Sequence, residues 1–136
     1  MSGLFDKTTN ALASSLALRQ LRNNVTSSNI ANAETPGYQA KKMDFENALA
    51  RALDMDGMNN LSVTNPDHMN SGGTTVGKVR PDIYEDPEGQ LNNDGNSVDL
   101  EKEMSALSEN AIMYKTALQL INKKMAALKY AAGDGR

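Results

Sequence analysis

The sequence predicts a mainly α protein whose long N- and C-terminal helices pair as an antiparallel, coiled-coil-like hairpin, with a loop-rich middle containing at most a small β-hairpin. Three observations lead there. Apolar residues near the C-terminus recur at alternating spacings of four and three. A broader apolar stripe of similar period runs through the N-terminal part. Between them lies a segment holding three of the four prolines and six of the ten glycines. The chain therefore divides into an N-terminal helix (1–32), a helix exit with a short helix (33–54), a loop-rich middle (55–98) and a C-terminal heptad helix (99–136).

The N-terminal helix is expected over residues 4–32, a stretch without Pro or Gly. Leu4, Ala11, Leu18 and Val25 recur every seven residues, flanked by Phe5, Leu12, Leu16 and Leu21. The stripe is imperfect, because Arg19 and Arg22 fall inside it. Ser27, Ser28, Asn29 and Asn32 then weaken helix propensity, since their side chains compete for backbone hydrogen bonds. Pro36-Gly37 ends the helix. A short helix is expected over 44–53, with Phe45, Leu49 and Leu53 on one face and Asp44 as its cap. The middle offers only brief strand-like runs, at 75–79 and 82–84, among turn formers.

The last helix carries the strongest pattern. Leu100, Met104, Leu107, Ala111, Tyr114, Leu118, Ile121, Met125, Leu128 and Ala132 form a sustained heptad seam with charged residues between them. Ser97 or Asp99 can cap it, while Glu101 and Glu103 suit the positive end of the helix dipole. Lys123, Lys124 and Lys129 load the opposite end, and Gly133 supplies a stop. Such a helix would be about 50 Å long. A compact globule of this chain length has a diameter of roughly 37 Å, so a spherical monomer cannot cover the whole seam. The simplest partner is the N-terminal helix, with Leu4, Leu12, Leu18 and Val25 against Leu100, Leu107, Leu118, Ile121 and Leu128. The apolar faces left over would meet other subunits.

Composition agrees with dependence on partners and excludes several classes of function. Hydrophobic residues make up 39% and aromatics 4% of 136 residues, with no Trp, so an isolated monomer has a thin core. There is no Cys and a single His68, which removes disulfides, thiolate catalysis and multi-histidine metal sites. A net charge of −3, with 14 basic residues scattered among 17 acidic ones, argues against nucleic acid as a ligand. No apolar run approaches the roughly 20 residues that span a bilayer, and the first residues lack the apolar stretch of a cleaved signal peptide. Asn92, Asp94, Asn96 and Glu103 fall at EF-hand spacing, but Ser97 replaces the required Gly and Asn92 lacks the leading carboxylate; a turn explains them better. No catalytic constellation, cofactor or small-molecule substrate is expected.

The segment Ser28-Asn29-Ile30-Ala31-Asn32-Ala33-Glu34-Thr35-Pro36-Gly37-Tyr38 resembles the N-terminal signature of the flagellar rod, hook and hook-associated axial proteins. That signature is a long amphipathic helix followed by Asn-x-x-Asn-x-x-Thr-x-Gly-Tyr, which Asn29, Asn32, Thr35, Gly37 and Tyr38 match. Physically it reads as a helix exit, with Asn side chains bonding free carbonyls, Thr35-Pro36-Gly37 turning and Tyr38 anchoring. Residues 39–45 and 94–104 are similar to stretches of the short proximal rod members, where a Thr and a His also often occur at the places of Thr64 and His68. The resemblance covers about half the chain, at both ends.

The resemblance implies a structural, non-enzymatic subunit of the bacterial basal-body rod in the periplasm. It implies export without signal cleavage and helical assembly into a drive shaft and export channel. The implied partners are copies of the chain itself, other rod proteins, the rod–ring adaptor and the export gate. Two other readings compete: another short rod protein of the same family, separable by pull-down against rod neighbours, and a soluble helical adaptor or secretion chaperone, which would fold stably alone.

Overall fold

The computed structural model describes residues 7–57 and 80–133. Helix α1 (Lys7–Ala31) is followed by strand β1 (Lys41–Met43) and helix α2 (Phe45–Gly57). Strand β2 (Ile83–Glu85) and helix α3 (Leu100–Gly133) complete the order. Leu4, Phe5, Thr64, His68 and the strand-like run 75–79 lie outside the described residues.

The long helices pair antiparallel. Asn32 meets Asn96, Asn29 meets Glu103, and Arg19 and Asn23 meet Asn110, so positions descend along α1 as they rise along α3. With 34 residues α3 is about 51 Å long, against about 38 Å for the 25 residues of α1.

The apolar core is small and sits away from most of α3. Leu18, Met43, Phe45 and Ala48 are buried together, with Leu21 and Leu49 against them, where α1, β1 and α2 meet. Arg19 and Arg22 lay their guanidinium groups over the Phe45 ring, at 4.8 and 5.2 Å from its centroid. This explains two arginines inside an apolar stripe: their charges are held by ring faces. The Asp44 carboxylate caps α2, accepting the Asn47 amide N–H at 3.2 Å and the Asn47 side-chain amide at 2.6 Å. Of the expected inner face of this helix, Phe45 is buried, Leu49 partly so, and Leu53 exposed.

The sheet is as small as expected, but its strands are not neighbours within the middle segment. β2 pairs antiparallel with β1, which follows the helix exit, in the register Lys41↔Glu85, Lys42↔Tyr84 and Met43↔Ile83. A Lys42–Asp86 ion pair at 2.8 Å and an Arg51–Asp82 pair at 3.0 Å flank the two strands. The expectation of a hairpin overlooked β1 because Lys41 and Lys42 carry no strand-like alternation; backbone pairing, not burial, holds them there. No helix among the described residues is long and apolar enough to cross a membrane.

Candidate functional site

The motif residues build a junction that ties both long helices together. Asn29, in the last turns of α1, is 1% exposed. Its side-chain amide donates to the Lys41 carbonyl at 2.8 Å, and its oxygen accepts the Lys41 N–H at 2.9 Å and the Tyr38 hydroxyl at 3.2 Å. The primary amide thus behaves as a strand edge for β1. Glu103 on α3 lies near this amide: burial pushes the Glu103 carboxyl above its ordinary range, and the neighbouring Asn29 amide opposes that shift.

Asn32 and Thr35 shape the exit itself. The Asn32 amide donates to the Ser28 carbonyl at 2.8 Å, and the Thr35 hydroxyl donates to the Asn32 side-chain oxygen at 3.2 Å. Pro36 is exposed in the turn, and Gly37 follows with a φ of 73° that only glycine adopts cheaply. The Gly37 N–H donates to the Asp94 carbonyl, and the Ser97 N–H to the Tyr38 carbonyl. The helix exit therefore lies directly against the chain that leads into α3.

From that opposite chain Asn96 closes the knot. It is 0% exposed. Its amide donates to the Asn32 and Thr35 carbonyls at 2.9 and 2.8 Å, and its oxygen accepts the Val98 N–H at 2.7 Å. The Asn96 oxygen is thus committed inside the protein, in a turn closed by the Asn92 N–H on the Asn96 carbonyl. The Ser97 hydroxyl accepts the Ala40 N–H at 2.8 Å, so Ser97 serves the junction. Asp99 caps α3, and the Lys102 N–H holds its carboxyl below the usual range.

The expected seam divides along α3. Leu107, Tyr114, Ile121 and Leu128 are half-buried on the side facing α1. The positions completing that side are Glu103, Asn110, Ala117 and Lys124, whereas Leu100, Met104, Leu118 and Met125 stand exposed. Only Asn110 and Ala117 are buried along the described helix. On α1, Leu18 is buried, and Leu12 and Val25 are half-buried. The reason is polar. Asn110 donates to the Arg19 carbonyl and to the Asn23 side chain, both at 2.8 Å, and accepts from the Arg19 guanidinium at 3.3 Å. These bonds fix Asn110 toward α1 beside Leu107 and Tyr114 and leave the row of Met104, Leu118 and Met125 outward.

Hydrophobic periodicity had no means of marking Asn96 or Asn110 as structural ties. The one available signal was an Asn and an Arg sitting inside apolar stripes. A cleft of about 290 Å³ beside the junction is lined by Arg22, Lys41, Lys42, Tyr84, Glu103 and Glu109 among others. Among the described residues no group of three or more His, Cys, Asp or Glu side chains could hold a metal ion. Chemically, the site is a polar joint beside a bare apolar helix face.

Comparison with known proteins agrees with that picture of a structural part. A family model described as flagella basal body rod protein matches residues 10–39, the span that carries most of α1 and the whole exit motif. Similar proteins include the flagellar basal body rod protein FlgB of Cereibacter sphaeroides, 39% identical over 120 residues that cover 88% of each chain. FlgB of Aeromonas hydrophila is 35% identical over 91% of each chain, and FlgB of Escherichia coli K12 is 30% identical over 88% of each. The chain belongs to the FlgB family of flagellar basal body rod proteins. Its role is structural, as a subunit of the basal body rod, and not enzymatic.

Proposed function

We propose that this subunit builds the proximal part of the rod, and that its long helices complete their burial only against neighbouring subunits. The observation that carries the proposal is the outward row Met104, Leu118 and Met125, exposed on a helix that buries just Asn110 and Ala117 within its own chain. Apolar side chains left in water on one long face are a standing drive toward association. Contacts that repeat head to tail without closing generate a helical tube, the geometry a drive shaft with a central export channel requires.

In this reading the partners are copies of the chain, other rod proteins, the rod–ring adaptor and the export gate. The subunit reaches the periplasm through the flagellar export route without signal cleavage. The exit motif Asn29, Asn32, Thr35, Pro36, Gly37 and Tyr38 sets the angle at which the two helices leave the junction, and thereby presents the outward rows to neighbours.

Leu118→Asp tests the proposal. The free subunit should express and melt as the parent does, since Leu118 is 40% exposed, while swimming is abolished. Leu18→Asp, at a buried core position, should instead unfold the subunit. Normal swimming by a Leu118→Asp strain contradicts the proposal.

A further inference from the structure

Two clefts lie side by side at the junction, and they carry opposite charge. The first, of about 290 Å³, sets Arg19, Arg22, Lys41 and Lys42 against Glu103 and Glu109. The second, of about 420 Å³, sets Asp86, Glu88, Asp99 and Glu103 against Lys42 and Lys102. Lys42, Glu103 and Ala106 line both, so the two hollows adjoin across a shared wall. Internal pairing leaves a surplus in each. Lys42 is taken by Asp86 at 2.8 Å and Lys102 by Asp99 at 3.5 Å. Among the described residues no carboxylate lies within ion-pair distance of Arg19, Arg22 or Lys41, and no cation within that distance of Glu88 or Glu103.

The positive surplus is placed to grip a particular group. Arg19 and Arg22 share the Phe45 ring at 4.8 and 5.2 Å, where each charge opposes the other and the ring itself is neutral. A guanidinium held by stacking keeps its N–H edge in one plane, the arrangement that matches a carboxylate. Resting on the assembly proposed above, we infer that the adjoining clefts form one groove for an extended segment of a different rod protein. An acidic side chain of that segment sits among Arg19, Arg22 and Lys41, and a basic one further along meets Glu88 and Glu103. Charge complementarity fixes that chemistry. Each cleft is too small to seat two turns of a helix, which is about 10–12 Å across, whereas single side chains of an extended chain fit. A second copy does not supply the occupant. The carboxylates it gathers at its own junction line a hollow, and two hollows do not interlock.

Charge reversal and contact coupling test the groove. Lys41→Glu reverses the first cleft, and Glu85→Lys made with it keeps opposite charges on the facing strand positions. Glu88→Lys reverses the second. All three side chains are exposed, so the free subunits should melt as the parent does, while swimming haloes shrink at least several-fold. On the parent chain, carbodiimide treatment of isolated basal bodies joins an amine to a carboxylate in contact with it. It should link Lys41 to an acidic residue of a different rod protein, and Lys41→Arg, which keeps the charge without the coupling amine, should abolish that link. Parent-level swimming by either reversal variant overturns the inference. So does a Lys41 link only to a second copy or only within its own chain, or no Lys41 link in basal bodies that couple elsewhere. Each of these outcomes leaves the rod assignment standing. Cells that swim normally without the chain would instead remove the rod assignment itself.

Discussion

Asn29, Asn96 and Asn110 are each buried and each bridge segments far apart in sequence. A side chain that both donates and accepts satisfies backbone groups that no Leu could serve, and leaving such groups unpaired costs about 1–3 kcal/mol apiece. Asn29→Ala should therefore destabilise the free subunit by about 2–4 kcal/mol in urea unfolding, because the Lys41 N–H and C=O both lose their partner. Asn29→Asp should be no better at neutral pH. It cannot donate to Lys41 and sets a carboxylate beside Glu103, so part of its stability should return on acidification. Glycine makes a second contrast at this scale. Gly37→Ala meets no neighbour and suffers only its φ of 73°, a loss of about 1 kcal/mol. At Gly89 a Cβ would lie 2.9 Å from the Ser97 Cβ, so Gly89→Ala should displace Ser97 from Ala40, visible as lost protection of the Ala40 amide in hydrogen exchange.

The two-stranded sheet carries its own pH signature through the Lys42–Asp86 pair. The hydrogen bond from Lys42 holds the Asp86 carboxyl below its ordinary value near 3.8, and the same bond raises Lys42 above 10.5. A depressed carboxyl contributes stability that is whole above its unfolded value and drains as pH falls through the folded one. A raised amine contributes below its unfolded value and is lost as pH climbs through the folded one. Asp86→Asn should thus cost no more than about 1 kcal/mol at pH 7, because Lys42 is half exposed. It should also flatten the melting temperature's fall below pH 4. Unchanged acid sensitivity in this variant would show that the pair contributes nothing. Among the helices, α3 differs most from an ordinary packed element. Beyond Ala117 it has no buried residue among those described, so amides past residue 120 should exchange orders of magnitude faster than those of α1 near Leu18 in the free subunit. Equal protection along both helices would contradict the reading that α3 lacks cover.

For the molecule as a whole, the proposed assembly divides the labour between a polar joint that sets geometry and the exposed apolar side chains of α3 that would meet neighbours. A buried Asn at a helix seam fixes register at some cost in stability, and here Asn110 fixes which face of α3 stays outside. Asn110→Leu should free α3 to rotate Met104, Leu118 and Met125 toward α1. The free subunit would then bind less of an apolar dye than the parent while assembling into rods less well, measured by swimming. Leu118→Asp should show the converse, an unchanged subunit that fails only in the assembly.

Much of this architecture was legible in the residues. The two long helices, the Asp44 cap and the turn at Pro36-Gly37 follow from local rules acting within a few residues, although α1 ends earlier, at Ala31, and α2 runs on to Gly57, past the expected 53. The excess of seam over available cover follows from helix rise against globule size. The sequence by itself thus determined two long helices, a turn-rich interval and an exit motif, because periodicity and capping are properties of neighbours along the chain. Tertiary structure alone decided that Lys41–Met43 pairs with Ile83–Glu85, that Asn96 holds the carbonyls of Asn32 and Thr35, and that Asn110 faces α1 while Met104, Leu118 and Met125 face water. Those outcomes depend on hydrogen bonds between segments 40 to 91 residues apart, and hydrophobic spacing along one helix carries no information about where a distant amide will find its carbonyl.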